Sequence, residues 1–234
     1  MPALPYQHLF FDLDHTLWDF EANARESWAL LYDQFGLAGR GISPFDTFFQ
    51  RYSGHNERLW KRYTQGHLKQ DELRWKRIWH TLLDDKVADE ALCRDMSVAF
   101  LADLPQRTRL FPHTHEVLTT LRGKGYQLHL ITNGFEEVQT AKLHYSGLSG
   151  YFEAVVTSEG SGYKKPEAGI FAHALALTKA QKEQALMIGD NVEADIDGAR
   201  AAGWHTVFVN HIAHAGPVET NYTVTSLDQL LHIL

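Results

Sequence analysis

Cysteine is almost missing from this chain. Cys93 is the single thiol in 234 residues, which excludes a disulfide framework and any metal site built on paired thiolates. It lies in a helical-looking stretch, where a buried structural thiol is expected. Long apolar runs are missing as well, and none approaches the roughly 20 residues that a membrane-spanning helix requires. The opening Met1-Pro2-Ala3-Leu4-Pro5-Tyr6 carries neither the basic nor the apolar segment of a secretory leader. A soluble cytoplasmic protein is the expectation. Positive charge is in short supply, with 22 Lys and Arg against 29 Asp and Glu and a formal net charge of -7. No extended Lys/Arg run offers a field for a nucleic-acid backbone, so polymeric DNA or RNA is not an expected partner. The 14 His residues are scattered, without a His-x-x-x-His pair on a predicted helix, and imply no zinc site. Internal repeats and low-complexity tracts are lacking too.

What is present is enough apolar material, 44% of the chain, for a sizeable core. The first informative stretch is His8-Leu9-Phe10-Phe11-Asp12-Leu13-Asp14-His15-Thr16. Its apolar run reads as a buried strand, along which side chains two apart point the same way. Asp12 and Asp14 then share a face and gather with Thr16 where the strand opens into a loop, the usual ligand position in open α/β sheets. An Asp-rich turn capping the next element is the competing explanation.

From about Glu21 to about Asp103 strand signals give way to helical periodicity. Helices are predicted for Glu21 to Phe35, Phe45 to Tyr52, Glu57 to Tyr63, Gln70 to Leu83 and Asp89 to Leu101, with Gly36, Gly39, Gly41, Pro44, Gly54 and Gly66 between them. Trp28, Leu31 and Phe35 mark one apolar face, and Trp75, Ile78, Trp79 and Leu82 another. After Pro105 helices and strands alternate. Strands are predicted at Tyr126 to Ile131, Ala154 to Thr157, Ala185 to Ile188, Thr206 to Val209 and Tyr222 to Val224. Helices are predicted at His113 to Arg122, Glu136 to Tyr145, Glu167 to Leu177, Val192 to Ala202 and from Leu227. This order implies an α/β fold: a Rossmann-like parallel sheet with helices on both faces and an inserted helical block.

Three more polar signals follow the first in order. Thr132-Asn133-Gly134 comes after the run Leu128 to Ile131, Lys164-Lys165-Pro166 opens a helical pattern, and Gly189-Asp190-Asn191 follows Ala185 to Ile188 with Asp195 five residues beyond Asp190. With these, the chain resembles the haloacid dehalogenase superfamily of Mg-dependent phosphohydrolases. That family's ordered motifs are an Asp-x-Asp-x-Thr, a Thr or Ser, a Lys, and a Gly-Asp pair with a further Asp. The resemblance implies a Rossmann-like catalytic core over residues 1–17 and 105–234 and an all-helical cap over 18–104.

It also implies a chemistry. Asp12 attacks phosphorus to form an aspartyl-phosphate. Asp14 protonates the departing oxygen and then takes a proton from the hydrolytic water, with a crowded acidic site expected to raise its pKa. Thr132 holds the phosphoryl group, with the amides of Asn133 and Gly134 as further donors. Lys165 neutralises the phosphoryl oxygens and Asp12. Lys164 is its rival, but the family's lysine stands directly before such a proline. Asp12, Asp190 and the main-chain carbonyl of Asp14 would hold Mg²⁺, an ion suited to a few carboxylates. Asp195 lies one layer further out, with capping of the next helix as its competing role.

Within the superfamily the contexts His15 to Phe20, Leu59 to Gly66, Thr132 to Glu136 and Asn221 to Leu234 look like the pyrimidine 5′-nucleotidase branch. The resemblance thus points to a small phosphorylated metabolite, a nucleoside 5′-monophosphate, as substrate. Trp18, Phe20 and Trp60 are candidates for a base-stacking wall or for core. A sugar-phosphate phosphatase, a phosphomutase using the same two acids and a noncatalytic nucleotide-binding module are the alternatives. Dehalogenation is disfavoured, because the family's dehalogenases lack the acid that Asp14 supplies. Oligomeric state is not legible in the sequence.

Overall fold

A computed structural model describes residues 6–212 and 216–234. Met1 to Pro5, the bulk of the opening segment considered above, lie outside the described residues. The chain divides into two compact units, one formed by the chain through Phe20 and by Thr108–Leu234, the other by Glu21–Arg107.

The first unit is built on a parallel sheet of β1 (His8–Phe11), β2 (Gln127–Thr132), β3 (Ala154–Thr157), β4 (Ala185–Gly189), β5 (His205–Val209) and β6 (Tyr222–Val224). Its order is β3-β2-β1-β4-β5-β6. All four residues of β1 are buried, as expected of a strand covered on both faces, which reads as an unbroken apolar run and not an alternating one. Strand order reverses at β1. The chain steps outward through β2 and β3, then returns to the other side of β1 for β4. Such a reversal opens a crevice beyond the carboxyl ends of the strands flanking it. Phe11 is in register with Leu130 and Ile188, and the Asp12 amide donates to the Ile188 carbonyl at 2.9 Å. Asp12 therefore emerges at that crevice. On one face of the sheet Phe10, Ile131, Val156, Met187, Phe171 and Trp204 pack into a continuous core.

The second unit is helical: α1 (Phe20–Gln34, beginning one residue early in the first unit), α2 (Phe45–Thr64), α3 (Gln70–Leu83) and α4 (Glu90–Asp103). Two details depart from the sequence-based expectation. The helices predicted on either side of Gly54 are one 20-residue helix. A mid-helix glycine costs about 1 kcal/mol, and the buried stripe of Phe48, Phe49, Tyr52, Asn56, Leu59 and Tyr63 runs straight past it, so packing outweighs propensity. On α3 the fully buried positions are Leu73, Arg77, Ile78, Thr81 and Leu82, with Trp75 and Trp79 only half-buried at the edge. The reason is Arg77, whose guanidinium lies 5.3 Å from the Phe100 ring centroid and donates to Asn56 Oδ1 at 3.0 Å. Trp28 does belong to the core, stacked on Phe100 at 4.5 Å. Cys93 is a buried free thiol, and burial pushes its pKa up to about 12. No described helix is long and apolar enough to cross a membrane.

The remaining helices of the first unit are α5 (Thr114–Gly123), α6 (Glu136–Tyr145), α7 (Ser158–Ser161), α8 (Ala168–Thr178), α9 (Gly198–Ala201) and α10 (Leu230–Ile233). The helix expected from Val192 to Ala202 begins as a π-helical turn, Val192–Asp197.

At the amino end of the sheet, away from the crevice, β1 and β2 bury a histidine pair. His8 Nδ1 and His129 Nε2 are 3.0 Å apart, and the rings are stacked at 5.3 Å. Burial lowers both pKa values, that of His129 to about 4 from 6.5. The folded protein keeps the pair neutral while the unfolded chain takes up protons below pH 6.5, so the stabilisation is complete above that pH and is lost as pH falls towards 4. The His129 contribution reaches about 3 kcal/mol. His129→Phe should flatten the acid limb of a urea-unfolding midpoint plotted against pH. An acid limb as steep as that of the wild type would contradict it.

Candidate active site

Lys165 stands directly before Pro166 and is 2% exposed. Its ammonium lies 2.5 Å from Asp12 Oδ1, 2.7 Å from Asp195 Oδ1 and 2.8 Å from the Ile131 carbonyl. Asp12 and the Ile131 carbonyl accept hydrogen bonds from it, and Asp195 is its second ion-pair partner. The Lys165 backbone is fixed too. Its amide donates to Asn133 Oδ1 at 2.8 Å, and its carbonyl accepts from Asn133 Nδ2 at 2.9 Å. Asn133, expected to help through its backbone amide, thus uses its side chain to place the lysine. Burial opposes the charge on Lys165, but Asp12 and Asp195 raise its pKa. Lys164, the rival, is only half-buried.

Burial pushes the Asp12 pKa up, against the pull of Lys165 and with the carboxylates of Asp195 and Asp190 adding to it. Asp190 accepts a hydrogen bond from Thr16 Oγ1 at 2.9 Å, and burial followed by Asp195 raises its pKa to about 7. Carboxylate oxygens of Asp12, Asp190 and Asp195 all lie within 4.8 Å of one another. One ammonium faces these three acids, and the excess of negative charge on hard oxygen donors suits a divalent cation such as Mg²⁺. Asp195 is 1% exposed, deeper than a helix-capping carboxylate. One oxygen meets Lys165, and the other accepts the Asn191 amide at 3.0 Å. Gly189 makes this possible, because a Cβ there would sit 2.3 Å from Asp195 Oδ2.

Asp14 departs most from expectation. Burial favours its neutral form, yet Lys142 and then Gln139 outweigh burial and lower its pKa. The crowding predicted to raise it is absent, because Asp12 and Asp14 are held by different cations. Lys142 Nζ is 2.5 Å from Asp14 Oδ1, and Gln139 Nε2 donates to Oδ2 at 2.9 Å. Neither residue was singled out from sequence. The available signal was a Gln and a Lys three apart on α6, on the face it buries with Val138 and Leu143.

Thr132 is buried, and its Oγ1 accepts the Gly134 amide at 3.0 Å. That amide, expected to serve substrate, is therefore committed to Thr132. Trp18 is fully buried, with its indole N–H 3.1 Å from Ser146 Oγ, and Phe20 is nearly so. Both lie beside the Lys142 ammonium, so they are packing residues of the first unit. A residue missed in the sequence, His211, stacks on Phe111 at 3.9 Å and places Nε2 3.1 Å from the Thr16 carbonyl.

Residues 6–203 match the family of haloacid dehalogenase-like hydrolases. The chain belongs to this family. Among similar proteins, pyrimidine 5′-nucleotidase PynA of Streptococcus pneumoniae is 32% identical, the match spanning 98% of this chain and 95% of that protein. Pyrimidine 5′-nucleotidase YjjG of Escherichia coli is 29% identical, with 99% of each chain covered. The fold agrees with the crystal structure of the HAD-hydrolase YfnB of Bacillus subtilis, described as bound to magnesium and as revealing interdomain movement, at a TM-score of 0.88 and 26% identity over 98% of each chain.

The ion-pair geometry generates a stability prediction. Removing one partner of a buried charge network leaves the other under-compensated, at a cost of about 3 kcal/mol. Asp195→Ala should therefore lower the unfolding free energy obtained from a urea titration at neutral pH by about that amount, moving the midpoint down. An unchanged midpoint would show that Lys165 does not depend on Asp195.

Proposed function

We propose that this hydrolase is a Mg²⁺-dependent phosphomonoesterase that works through an aspartyl-phosphate on Asp12, with nucleoside 5′-monophosphates, pyrimidine ones foremost, as its substrate class. The observation that carries the chemistry is the separate treatment of two neighbouring acids. Asp12 is paired with the buried Lys165 at the mouth of the switch-point crevice, and Asp14 is held apart by Lys142 and Gln139.

Asp12 presents Oδ1 to Lys165, leaving Oδ2 to attack phosphorus. Attack by a fixed carboxylate splits one difficult displacement into two easier ones. Lys165 opposes the upward push of burial on the Asp12 pKa. Asp14 passes a proton to the leaving oxygen, and in the second half removes one from the attacking water. Its lowered pKa favours the second role at rest. Thr132 holds a phosphoryl oxygen through its hydroxyl. Asp12, Asp190 and the Asp14 main-chain carbonyl would hold Mg²⁺, with Asp195 behind them on Lys165. When bound, that ion neutralises charge on the phosphoryl oxygens.

The substrate class rests on the likeness to the two pyrimidine 5′-nucleotidases. The helical unit Glu21–Arg107 is read as the cap domain. The test is phosphate release from a panel of nucleoside monophosphates and sugar phosphates. Release should require Mg²⁺, stop on addition of EDTA, favour pyrimidine nucleotides and vanish in a folded Asp12→Asn variant. Turnover in metal-free buffer, or by Asp12→Asn, would sink the mechanism. Preference for sugar phosphates would move the substrate class, and transfer to a second hydroxyl instead of water would favour a phosphomutase.

A further inference from the structure

Gln139 and Lys142 do more than bury polar atoms. They project from one face of α6 and are 1% and 2% exposed. Each gives one donor to a different oxygen of Asp14, at 2.9 Å and 2.5 Å. A carboxylate held at both oxygens cannot turn about its Cβ–Cγ bond without losing a contact. Each carboxylate oxygen has two acceptor directions, so one direction per oxygen remains for a proton or a leaving group.

The two donors are themselves immobilised. The Lys142 ammonium sits 4.3 Å from the Trp18 ring centroid and 5.6 Å from that of Phe20, and Trp18 is tied to Ser146. Gln139 fills the space that a side chain at residue 134 would take, since a Cβ on Gly134 would lie 1.6 Å from its Nε2. That glycine belongs to the Thr132-Asn133-Gly134 turn whose Asn133 holds Lys165. One turn thus serves both acids. A buried ion pair is seldom kept for stability alone, because desolvation cancels most of its attraction. Here it fixes a direction.

We infer that Gln139 and Lys142 are positioning residues that set the line along which Asp14 meets the leaving-group oxygen. The inference rests on Asp14 being the group that transfers the proton. As the bond from Asp12 to phosphorus forms and the ester P–O bond breaks, a proton that Asp14 has first taken up from solvent passes to the departing oxygen, leaving Asp14 as the carboxylate that Lys142 and Gln139 hold. A misdirected carboxyl slows that step for a poor leaving group and matters little for one that departs unprotonated.

The experiment compares kcat/KM, which reports the steps through P–O cleavage, for an alkyl phosphate and for an aryl phosphate with an acidic phenol. Thermal melts accompany each variant. Asp14→Asn should lose roughly 100-fold or more on the alkyl ester relative to the aryl ester, the scale of general acid catalysis. Lys142→Met should show the same selective loss at about tenfold or more, and Gln139→Met a smaller loss in the same direction. Equal losses on both esters, or none, would overturn the positioning role. If Lys142→Met does not fold, Gln139→Met decides by the same criterion. If Asp14→Asn itself treats both esters alike, the proton-transfer role fails first. A selective loss in Asp14→Asn with none in the α6 variants removes this inference alone.

Discussion

The site depends on one buried ammonium. Lys165 is held among Asp12 at the end of β1, the Ile131 carbonyl on β2 and Asp195 beyond β4, so it ties together the three strand ends that define the crevice. Removing it would leave two buried carboxylates facing each other with no cation between them. Placing it anywhere else would leave an ammonium in an apolar interior. Both are costly; in place, the ammonium donates to Asp12 and to the Ile131 carbonyl and forms a second ion pair with Asp195. The side chain of Asn133 fixes the lysine backbone, and the bare Gly189 lets Asp195 come close. The local sequence at four separated places therefore answers to one charge.

A second cation divides the labour of the acids. Lys142 lies on a helix with no part in the Lys165 cluster, and it gives Asp14 an environment opposite to that of Asp12. Burial and neighbouring carboxylates push Asp12 up, whereas Lys142 and Gln139 draw Asp14 down. Two carboxylates two residues apart can serve different steps only if their surroundings differ in this way. The Asp-x-Asp spacing makes both available, and helix α6 makes them different.

Much of this was legible in the residues. The parallel α/β order follows from apolar runs alternating with helical patterns, and β3 and α6 fall where those patterns end. Asp12, Lys165 and Asp190 stand out because polar groups directly follow buried strands or precede a proline. What was hidden shares a cause: long-range packing overrode a local signal. Gly54 reads as a breaker but lies inside α2, since the buried stripe continues through it. Arg77 carries no local sign of burial yet lies between aromatic rings. Asp195 reads as an outer carboxylate of the metal site with helix capping as its competing role, and the π-helical turn with Gly189 behind it reveals its depth. Lys142 and Gln139 read as ordinary helix residues because their partner is 128 and 125 positions away.

The central claim is that Asp12 carries the phosphoryl group between two displacements. Each in-line displacement inverts phosphorus, so two in succession restore its configuration. The direct measurement is the stereochemistry of hydrolysis of a chiral thiophosphate ester in isotopically labelled water. The account predicts retention at phosphorus. Inversion would mean that water attacks the substrate directly and that Asp12, however firmly Lys165 holds it, is not the nucleophile.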